Sequence, residues 1–270
     1  MARPNPGSLR ATMRVVAIGG HLLFGALIVV GLALWRTLGI GGINNARPII
    51  VHWWYRRLTP MLGLKIRAQG RSAKRVLLVA NHISWLDVPV LGSLAPINFL
   101  SKSEVRGWPM IGWMSAQIGT LFIKRGGNQT ADLIARIAEQ VRERQAVVIF
   151  PEGTTSDGHQ LRRFHPRLLA AAQQSRIDVQ PVAIRYGSNN SPDHIAPFID
   201  DDTLIAHLWR VLCQPQTEVK VHFLDIIAST LMDRRTLAAK CESQITQALD
   251  ITVTADRANA RRRVDEEKHR

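Results

Sequence analysis

The fold of this chain is indicated first by residues 76–87, which read Val-Leu-Leu-Val-Ala-Asn-His-Ile-Ser-Trp-Leu-Asp. Five apolar residues predict a buried strand, and polar residues follow where that strand should end. Residues 146–153 repeat the arrangement and read Ala-Val-Val-Ile-Phe-Pro-Glu-Gly. Open α/β sheets collect ligand-binding and catalytic groups at the carboxyl ends of their strands. The two segments therefore predict an α/β enzyme.

His82 and Asp87 are the chemically capable pair in the first segment. In a regular helix, five residues would rotate one side chain about 140° from the other, so a turn has to bring them together. An imidazole oriented by a carboxylate is a general base that works near neutral pH. The alternative is structural, with His82 a hydrogen-bonded histidine in a turn and Asp87 a helix cap.

The remaining sequence narrows the chemistry that such a base would serve. A serine hydrolase of the nucleophile-elbow type needs G-x-S-x-G, and zinc sites commonly show H-E-x-x-H or C-x-x-C; the sequence contains none of these. The two cysteines, Cys213 and Cys241, lie far from each other and from both motifs. We therefore expect the base to deprotonate a substrate hydroxyl, which then attacks an already activated group.

Four ordered segments resemble the glycerolipid acyltransferases, the family with the signature N-H-x-x-x-x-D. Asn81, His82 and Asp87 match that signature. The three later blocks are residues 119–125 (Gly-Thr-Leu-Phe-Ile-Lys-Arg), 150–154 (Phe-Pro-Glu-Gly-Thr) and 179–184 (Val-Gln-Pro-Val-Ala-Ile). Lys102 and Glu104 fall where the family carries K-x-E. The resemblance covers roughly residues 65 to 225, and it makes the structural alternative for His82 much weaker.

The resemblance implies transfer of a fatty acyl group from acyl-CoA or acyl-acyl-carrier protein to the hydroxyl of a lysophospholipid. His82 would take the proton while Asp87 holds the ring. Substrate-binding roles fall to Arg125, Glu152, Gly153, Thr154 and Lys102, with Arg125 the candidate for phosphate recognition because its guanidinium matches an oxyanion. No metal or other cofactor is expected, since a thioester is already activated. Arg125 and Lys102 also have a plain alternative as solvated surface residues, and Glu152 as the start of a turn.

Two departures from the family pattern concern the acceptor. Thr155 stands where many members carry arginine after F-P-E-G-T, and Phe-His-Pro-Arg at residues 164–167 replaces F-K-x-G. The leading acceptor is 1-acylglycerol 3-phosphate, which would give phosphatidic acid. The alternative is another lysolipid, such as a lyso-ornithine lipid. A hypothesis of a different class is a non-catalytic, basic, membrane-tethered binding protein.

The N-terminal sequence predicts a membrane anchor. Residues 15–35 contain no Asp, Glu, Lys or Arg and are long enough for a helix to cross a hydrocarbon core. A buried core helix is the alternative. Residues 49–62 predict an amphipathic helix with His52, Arg56 and Thr59 opposite its apolar arc, suited either to the lipid headgroup region or to packing on the catalytic domain. Arginines after the apolar run favour a catalytic domain on the cytoplasmic side of a cytoplasmic or inner membrane.

Composition agrees with this assignment. The chain has 35 Lys and Arg against 21 Asp and Glu, a formal charge of +14 that suits anionic lipid surfaces. Known nucleic-acid-binding motifs are absent from the sequence, so we expect no nucleic acid partner. The expected partners are a lysophospholipid acceptor, an acyl thioester donor and membrane lipid, with an acyl carrier protein as a partner where the donor is acyl-acyl-carrier protein.

The expected fold class is α/β, with a central mostly parallel or mixed sheet flanked by helices and preceded by the helical anchor. Strands are predicted at 64–69, 76–80, 97–101, 121–123, 146–150, 179–186 and 218–224. A helix is predicted through residues 133–141, and another after Asp233 as its cap. The expected division is residues 1–62 for the anchor, 63–255 for the acyltransferase domain and 256–270 for a charged, flexible tail.

Overall fold

The computed structural model describes residues 6–39, 41–108, 110–123, 130–143, 145–188, 192–199 and 201–253. The expected tail lies outside them. The helices are α1 (Pro6–Thr37), α2 (Ile43–Met61), α3 (Asp87–Leu94), α4 (Ser103–Arg106), α5 (Ile111–Gln117), α6 (Thr130–Arg142), α7 (Ala170–Ser175), α8 (Leu204–Cys213) and α9 (Arg234–Leu249). The strands are β1 (Leu64–Gln69), β2 (Leu77–Ala80), β3 (Ile97–Lys102), β4 (Leu121–Ile123), β5 (Ala146–Ile149), β6 (Gln160–Leu161), β7 (Val179–Tyr186), β8 (Thr217–Phe223) and β9 (Thr252–Val253).

A seven-stranded sheet organises the fold, in the order β1-β8-β7-β2-β5-β3-β4. Its pairings are parallel except for β7 with β8, which is antiparallel. The predicted α/β class with a mixed, mostly parallel sheet is confirmed. β2 lies in the middle of the sheet, so the polar residues that follow it are placed at the centre of one sheet edge.

Both faces of β2 are buried, which explains its continuous apolar sequence. Leu78 and Ala80 pack into a core shared with helices α2, α3 and α8. Leu77 and Val79 pack into a second core shared with helices α6, α7 and α9. All four side chains are fully buried. Helices therefore cover both faces of the sheet, as expected for a strand order dominated by parallel pairing.

Helix α1 is 32 residues long, or about 48 Å at helical rise. It is the one helix in the described part of the chain that is long and apolar enough to cross a membrane. One side of it packs against the rest of the protein through Ala11, Ile18, His21, Gly25, Val29 and Leu32. The other side carries exposed leucines, among them Leu23, Leu27 and Leu34. The helix therefore lies along the protein for most of its length.

Two arginines fix the first part of α1 to the end of α8. Arg10 donates through Nη1 to the Cys213 carbonyl at 2.8 Å. Arg14 donates to three carbonyls, those of Leu212 (3.0 Å), Gln214 (2.7 Å) and Pro215 (2.9 Å). Unpaired carbonyls at a helix C-terminus carry partial negative charge, so guanidinium groups are well placed there.

Helix α2 packs closely on α3. His52 Nδ1 lies 2.9 Å from the Gly92 carbonyl, and a Cβ on Gly92 would stand 2.8 Å from Cε2 of Tyr55. Thr59 is buried although the helical wheel places it opposite the apolar arc. The wheel assumes one packed side, whereas α2 is enclosed on more than one.

Helix α9 begins as predicted. The Asp233 carboxylate accepts hydrogen bonds from the backbone amides of Arg235 (2.7 Å) and Thr236 (3.1 Å), which otherwise lack partners in the first helical turn.

Candidate active site

The loop between β2 and α3 brings His82 and Asp87 together. The strand ends at Ala80 and the helix begins at Asp87, so the intervening turn supplies the reversal that a helix would not. His82 Nδ1 lies 2.8 Å from Asp87 Oδ2. The Asp87 side chain is fully buried, and that of His82 keeps 19% of its surface exposed. Because the carboxylate accepts the Nδ1 proton, Nε2 is the ring nitrogen left for a substrate.

Asp87 also shapes the loop that holds it. Its Oδ2 accepts the backbone amides of Ile83 at 2.8 Å and Ser84 at 3.0 Å, and its Oδ1 accepts the Tyr186 hydroxyl at 2.8 Å. These amides precede α3, so Asp87 is not capping the first turn of its own helix, as the structural alternative supposed. With four donors, the buried carboxylate is well compensated for its loss of water.

Asn81 fixes the start of the same loop to the neighbouring strand β7. Its Nδ2 donates to the Ile184 carbonyl at 2.9 Å, and its Oδ1 accepts the Ile184 amide at 2.7 Å. The side chain thus continues the pairing of β2 with β7 after the strand has ended. His82 therefore follows a rigidly placed residue.

Glu152 joins the third block to the first. One carboxylate oxygen accepts the His82 amide at 2.7 Å, and the other accepts the Arg162 amide at 3.0 Å. The side chain is only 3% exposed. Burial raises the pKa of Glu152 to about 8, although both amide hydrogen bonds act to lower it. These contacts show Glu152 organising the backbone of the site; the predicted contact with an acceptor stays a prediction.

Phe150 is a residue of the site that the sequence did not single out for a role. Its ring stacks on the His82 imidazole, with ring centres 4.1 Å apart and planes inclined by 18°. The Ser156 amide donates to the His82 carbonyl at 2.9 Å. Ring and backbone of His82 are thus both held by the segment that follows β5. The position of Phe150, directly after a buried strand, was the available signal.

Trp85 and His207 form a second connection that no local pattern indicates. Trp85 Nε1 donates to His207 Nδ1 at 3.0 Å, and His207 Nε2 lies 3.0 Å from the Pro197 carbonyl. His207 is fully buried on α8, and burial lowers its pKa. A neutral ring satisfies both bonds, one as acceptor and one as donor. The loop that holds His82 is thereby linked to α8, and α8 to α1.

The other predicted site residues are placed less centrally. Gly153 has φ of 72°, a conformation that favours glycine, and the His165 ring lies 3.5 Å from where its Cβ would be. Thr154 is half-buried beside it. Arg125 lies outside the described residues, and so does the side chain of Lys102. Ser84, in the same loop as His82, is fully buried, so its hydroxyl is not presented to a substrate.

Thr155 occupies the position where the family pattern has arginine. Its hydroxyl donates to the Phe198 carbonyl. The residue is therefore used in packing the loop and brings no positive charge to the third block.

The comparisons with known proteins agree with this geometry. A family model described as Acyltransferase matches residues 64–185. The chain is 41% identical over 244 residues to a lyso-ornithine lipid O-acyltransferase from Pseudomonas aeruginosa, covering 88% of this chain and 95% of that protein. The chain belongs to the glycerolipid acyltransferase family. The prediction of an acyltransferase enzyme of lipid biosynthesis is thereby confirmed.

Other members and one solved structure are also similar to this acyltransferase. A 1-acyl-sn-glycerol-3-phosphate acyltransferase from Neisseria gonorrhoeae is 33% identical over 187 residues, 68% of this chain and 73% of that protein. The crystal structure of the 1-acyl-sn-glycerophosphate acyltransferase PlsC from Thermotoga maritima aligns with a TM-score of 0.63, covering 89% of this chain and 96% of that one. At 19% identity, this last likeness shows the shared fold.

Proposed function

We propose that this acyltransferase moves a fatty acyl group from a thioester to the free hydroxyl of a lysolipid, with His82 as general base. The observation that carries the proposal is the 2.8 Å contact between His82 Nδ1 and the buried Asp87 carboxylate. That contact fixes the tautomer in which Nε2 is free to accept a proton, and it stabilises the imidazolium that results.

We propose the following reaction for this arrangement. His82 Nε2 takes the proton of the lipid hydroxyl while the oxygen forms a bond to the thioester carbonyl carbon. The tetrahedral intermediate then collapses and the carbon–sulfur bond breaks. The leaving thiolate takes the proton from His82, which returns to its neutral form. The products are an ester and a free thiol. Because a thioester is already activated, we propose that neither a metal nor another cofactor takes part, and that acyl-CoA or acyl-acyl-carrier protein is the co-substrate.

We infer that a lyso-ornithine lipid is an acceptor of this enzyme, and it is the acceptor to test first. The similarity to the Pseudomonas aeruginosa lyso-ornithine lipid O-acyltransferase extends over 95% of that protein. The hydrogen bond of Thr155 to Phe198 supports the same acceptor, because an arginine that would bind a phosphate is replaced by a neutral side chain turned towards the backbone.

A second acceptor, 1-acylglycerol 3-phosphate, is supported by other observations. The Neisseria gonorrhoeae protein named for this substrate is 33% identical, and the second block of this chain retains Arg125. The product would be phosphatidic acid. The two acceptors differ in charge, since a phosphate monoester is strongly anionic whereas ornithine carries an amine and a carboxylate.

A panel of acceptors tests both proposals. Purified protein is given acyl-CoA or acyl-acyl-carrier protein together with each lysolipid, and thiol release is measured alongside the lipid product by mass spectrometry. We expect thiol release to depend on one acceptor and to be lost in His82→Ala. Arg125→Ala and Lys102→Ala should weaken the use of 1-acylglycerol 3-phosphate more than that of lyso-ornithine lipid. A folded His82→Ala enzyme with wild-type turnover would contradict the proposed base.

We also propose that α1 and α2 attach the protein to a membrane, with residues 63–255 acting on its cytoplasmic side and residues 256–270 as a tail. The exposed leucines of α1 and the half-exposed Trp53 of α2 support this attachment. The protein should sediment with membranes after a high-salt wash. Release by salt alone would contradict this proposal, because it would mean that the positive charge of the protein is what holds it to the membrane.

A further inference from the structure

Tyr186 is a buried residue of the site to which the proposed reaction gives no role. It is the last residue of β7 and is 3% exposed. Its hydroxyl donates to Asp87 Oδ1 at 2.8 Å across a sequence separation of 99 residues. The contact joins the end of strand β7, whose first residues form the fourth block, to the carboxylate that orients His82.

The two oxygens of Asp87 are used differently. Oδ2 accepts the His82 ring and the amides of Ile83 and Ser84, whereas Tyr186 is the donor found on Oδ1. Within the described part of the chain, His82 is the one basic group at ion-pair distance from this carboxylate. Tyr186 therefore supplies the hydrogen bond that stabilises charge on the oxygen turned away from the imidazole.

The phenol is suited to act as a permanent donor. Burial raises the pKa of Tyr186 well above its ordinary value, and the nearby charge of Asp87 raises it further. The hydroxyl thus keeps its proton over the pH range in which an ester-forming enzyme is assayed. Its role is to hold and polarise the carboxylate and not to transfer a proton itself.

We propose that Tyr186 is a positioning residue for acyl transfer, whose hydroxyl holds Asp87 against His82 and draws charge from the carboxylate, thereby setting the lower pH limit of activity. The proposal rests on the proposed function of His82 as base. A base acts only when unprotonated, so activity falls on the acidic side of the pH profile. Removing the Tyr186 donor leaves more negative charge facing His82, favours the imidazolium and moves that acidic limb to higher pH.

Other charged groups face the same pair and have to stay constant in the test. Glu152 approaches from the segment after β5 and acts on Asp87 electrostatically. Asp193 acts on Tyr186, and Arg185 precedes Tyr186 on β7, where both line a cavity of about 20 Å³ with Asp193. None of these residues is changed in the variants below.

The chain offers a matched control, because its two tyrosines are Tyr55 and Tyr186. Tyr55 is also buried, and its ring packs on Gly92 of α3. For Tyr186→Phe we expect kcat to fall roughly tenfold, because Asp87 is no longer held against His82. The acidic limb of the pH profile should move up by about half a pH unit or more, because more charge then faces the imidazole. Both changes are on the scale of one hydrogen bond to a charged group. Tyr55→Phe should show neither change. An unshifted limb, or an equal loss of rate at every pH, would overturn the proposal.

A second measurement avoids removing the hydroxyl. In the Tyr55→Phe background, 3-fluorotyrosine supplied during growth labels Tyr186 alone. The more acidic phenol donates a stronger hydrogen bond, so the acidic limb should move to lower pH, opposite to Tyr186→Phe. No movement, or movement to higher pH, would reject the assigned role even if Tyr186→Phe does not fold.

A double-mutant cycle separates this inference from the proposed function. If Tyr186 acts through Asp87, then Tyr186→Phe should have little further effect on kcat in an Asp87→Asn enzyme, whereas additive losses count against it. Wild-type turnover by His82→Ala would overturn the base mechanism itself. An inactive His82→Ala with an unshifted Tyr186→Phe profile would overturn the role of Tyr186 alone.

Discussion

Replacing Asp87 by asparagine removes the charge that faces His82 while keeping the shape of the side chain. The asparagine carbonyl can accept the three donors now on Oδ2, and its NH₂ group can donate to the Tyr186 oxygen, so the loop should keep its conformation. What the variant loses is the attraction between carboxylate and imidazolium as the proton is transferred.

The 2.8 Å contact sets the size of that loss. Two unit charges at this distance attract by about 6 kcal/mol when the effective dielectric constant is about 20. The amide retains a neutral hydrogen bond, so part of this energy remains. We expect kcat to fall by a factor of about 10² to 10⁴, since each 1.36 kcal/mol is tenfold in rate.

The assay is thiol release with the preferred acceptor at saturation, and folding is checked by the thermal unfolding midpoint. Asp233→Asn is the matched control, because Asp233 also accepts two backbone amides but lies at the exposed start of α9. It should leave kcat unchanged. An Asp87→Asn enzyme that is folded and keeps more than about a tenth of wild-type kcat would refute the assigned role of the charge.

Three further variants test how the site is supported. Gly92→Ala should lower the free energy of unfolding by about 1–3 kcal/mol, because a Cβ there would clash with the Tyr55 ring. The control Gly19→Ala should not destabilise the protein, since nothing lies within 4 Å of the added atom. Equal effects of the two variants in denaturant titrations would contradict the packing argument. Arg14→Ala should lower the free energy of unfolding by about 1–3 kcal/mol, because three hydrogen bonds to carbonyls are lost. The control is Arg56→Ala, at an exposed position of α2. Equal thermal unfolding midpoints of the two variants would disprove the contribution of Arg14. Glu152→Gln should flatten the dependence of the free energy of unfolding on pH. Because the pKa of Glu152 is raised from 4.5 to about 8, the folded protein retains a proton that the unfolded chain has released. The stability due to Glu152 is therefore present below about pH 4.5 and is lost as the pH rises towards 8. Parallel urea-unfolding profiles of wild type and variant over this window would show that Glu152 is not the group responsible.

Strands, turns and helix caps that depend on neighbouring residues could be predicted from the sequence. The strands β1, β4 and β7 occupy the predicted residues, because alternation or a short apolar run directly reports burial. The turn between His82 and Asp87 followed from their spacing, since a helix would have separated them. The capping of α9 by Asp233 was visible because the cap and its amides are neighbours in sequence.

Contacts between distant residues were not predictable in the same way. Tyr186 and His207 contact the loop that holds His82 across 99 and 122 residues, respectively, and no periodicity indicates such partners. Glu152 was recognised as a site residue, but its hydrogen bond to the His82 amide depends on how β5 lies beside β2. Helix α8 was not predicted, although Leu204, Leu208 and Leu212 recur at helical spacing.

The one-sided packing of α1 bears on how this enzyme should be prepared. Truncation at residue 37 would remove the contacts of Arg10 and Arg14 with the end of α8 and uncover the surfaces now covered by Ile18 and His21. Because α8 carries His207, the loss would reach Trp85 in the loop that holds His82. A preparation that retains α1, in detergent or nanodiscs, is therefore the form in which activity is best measured.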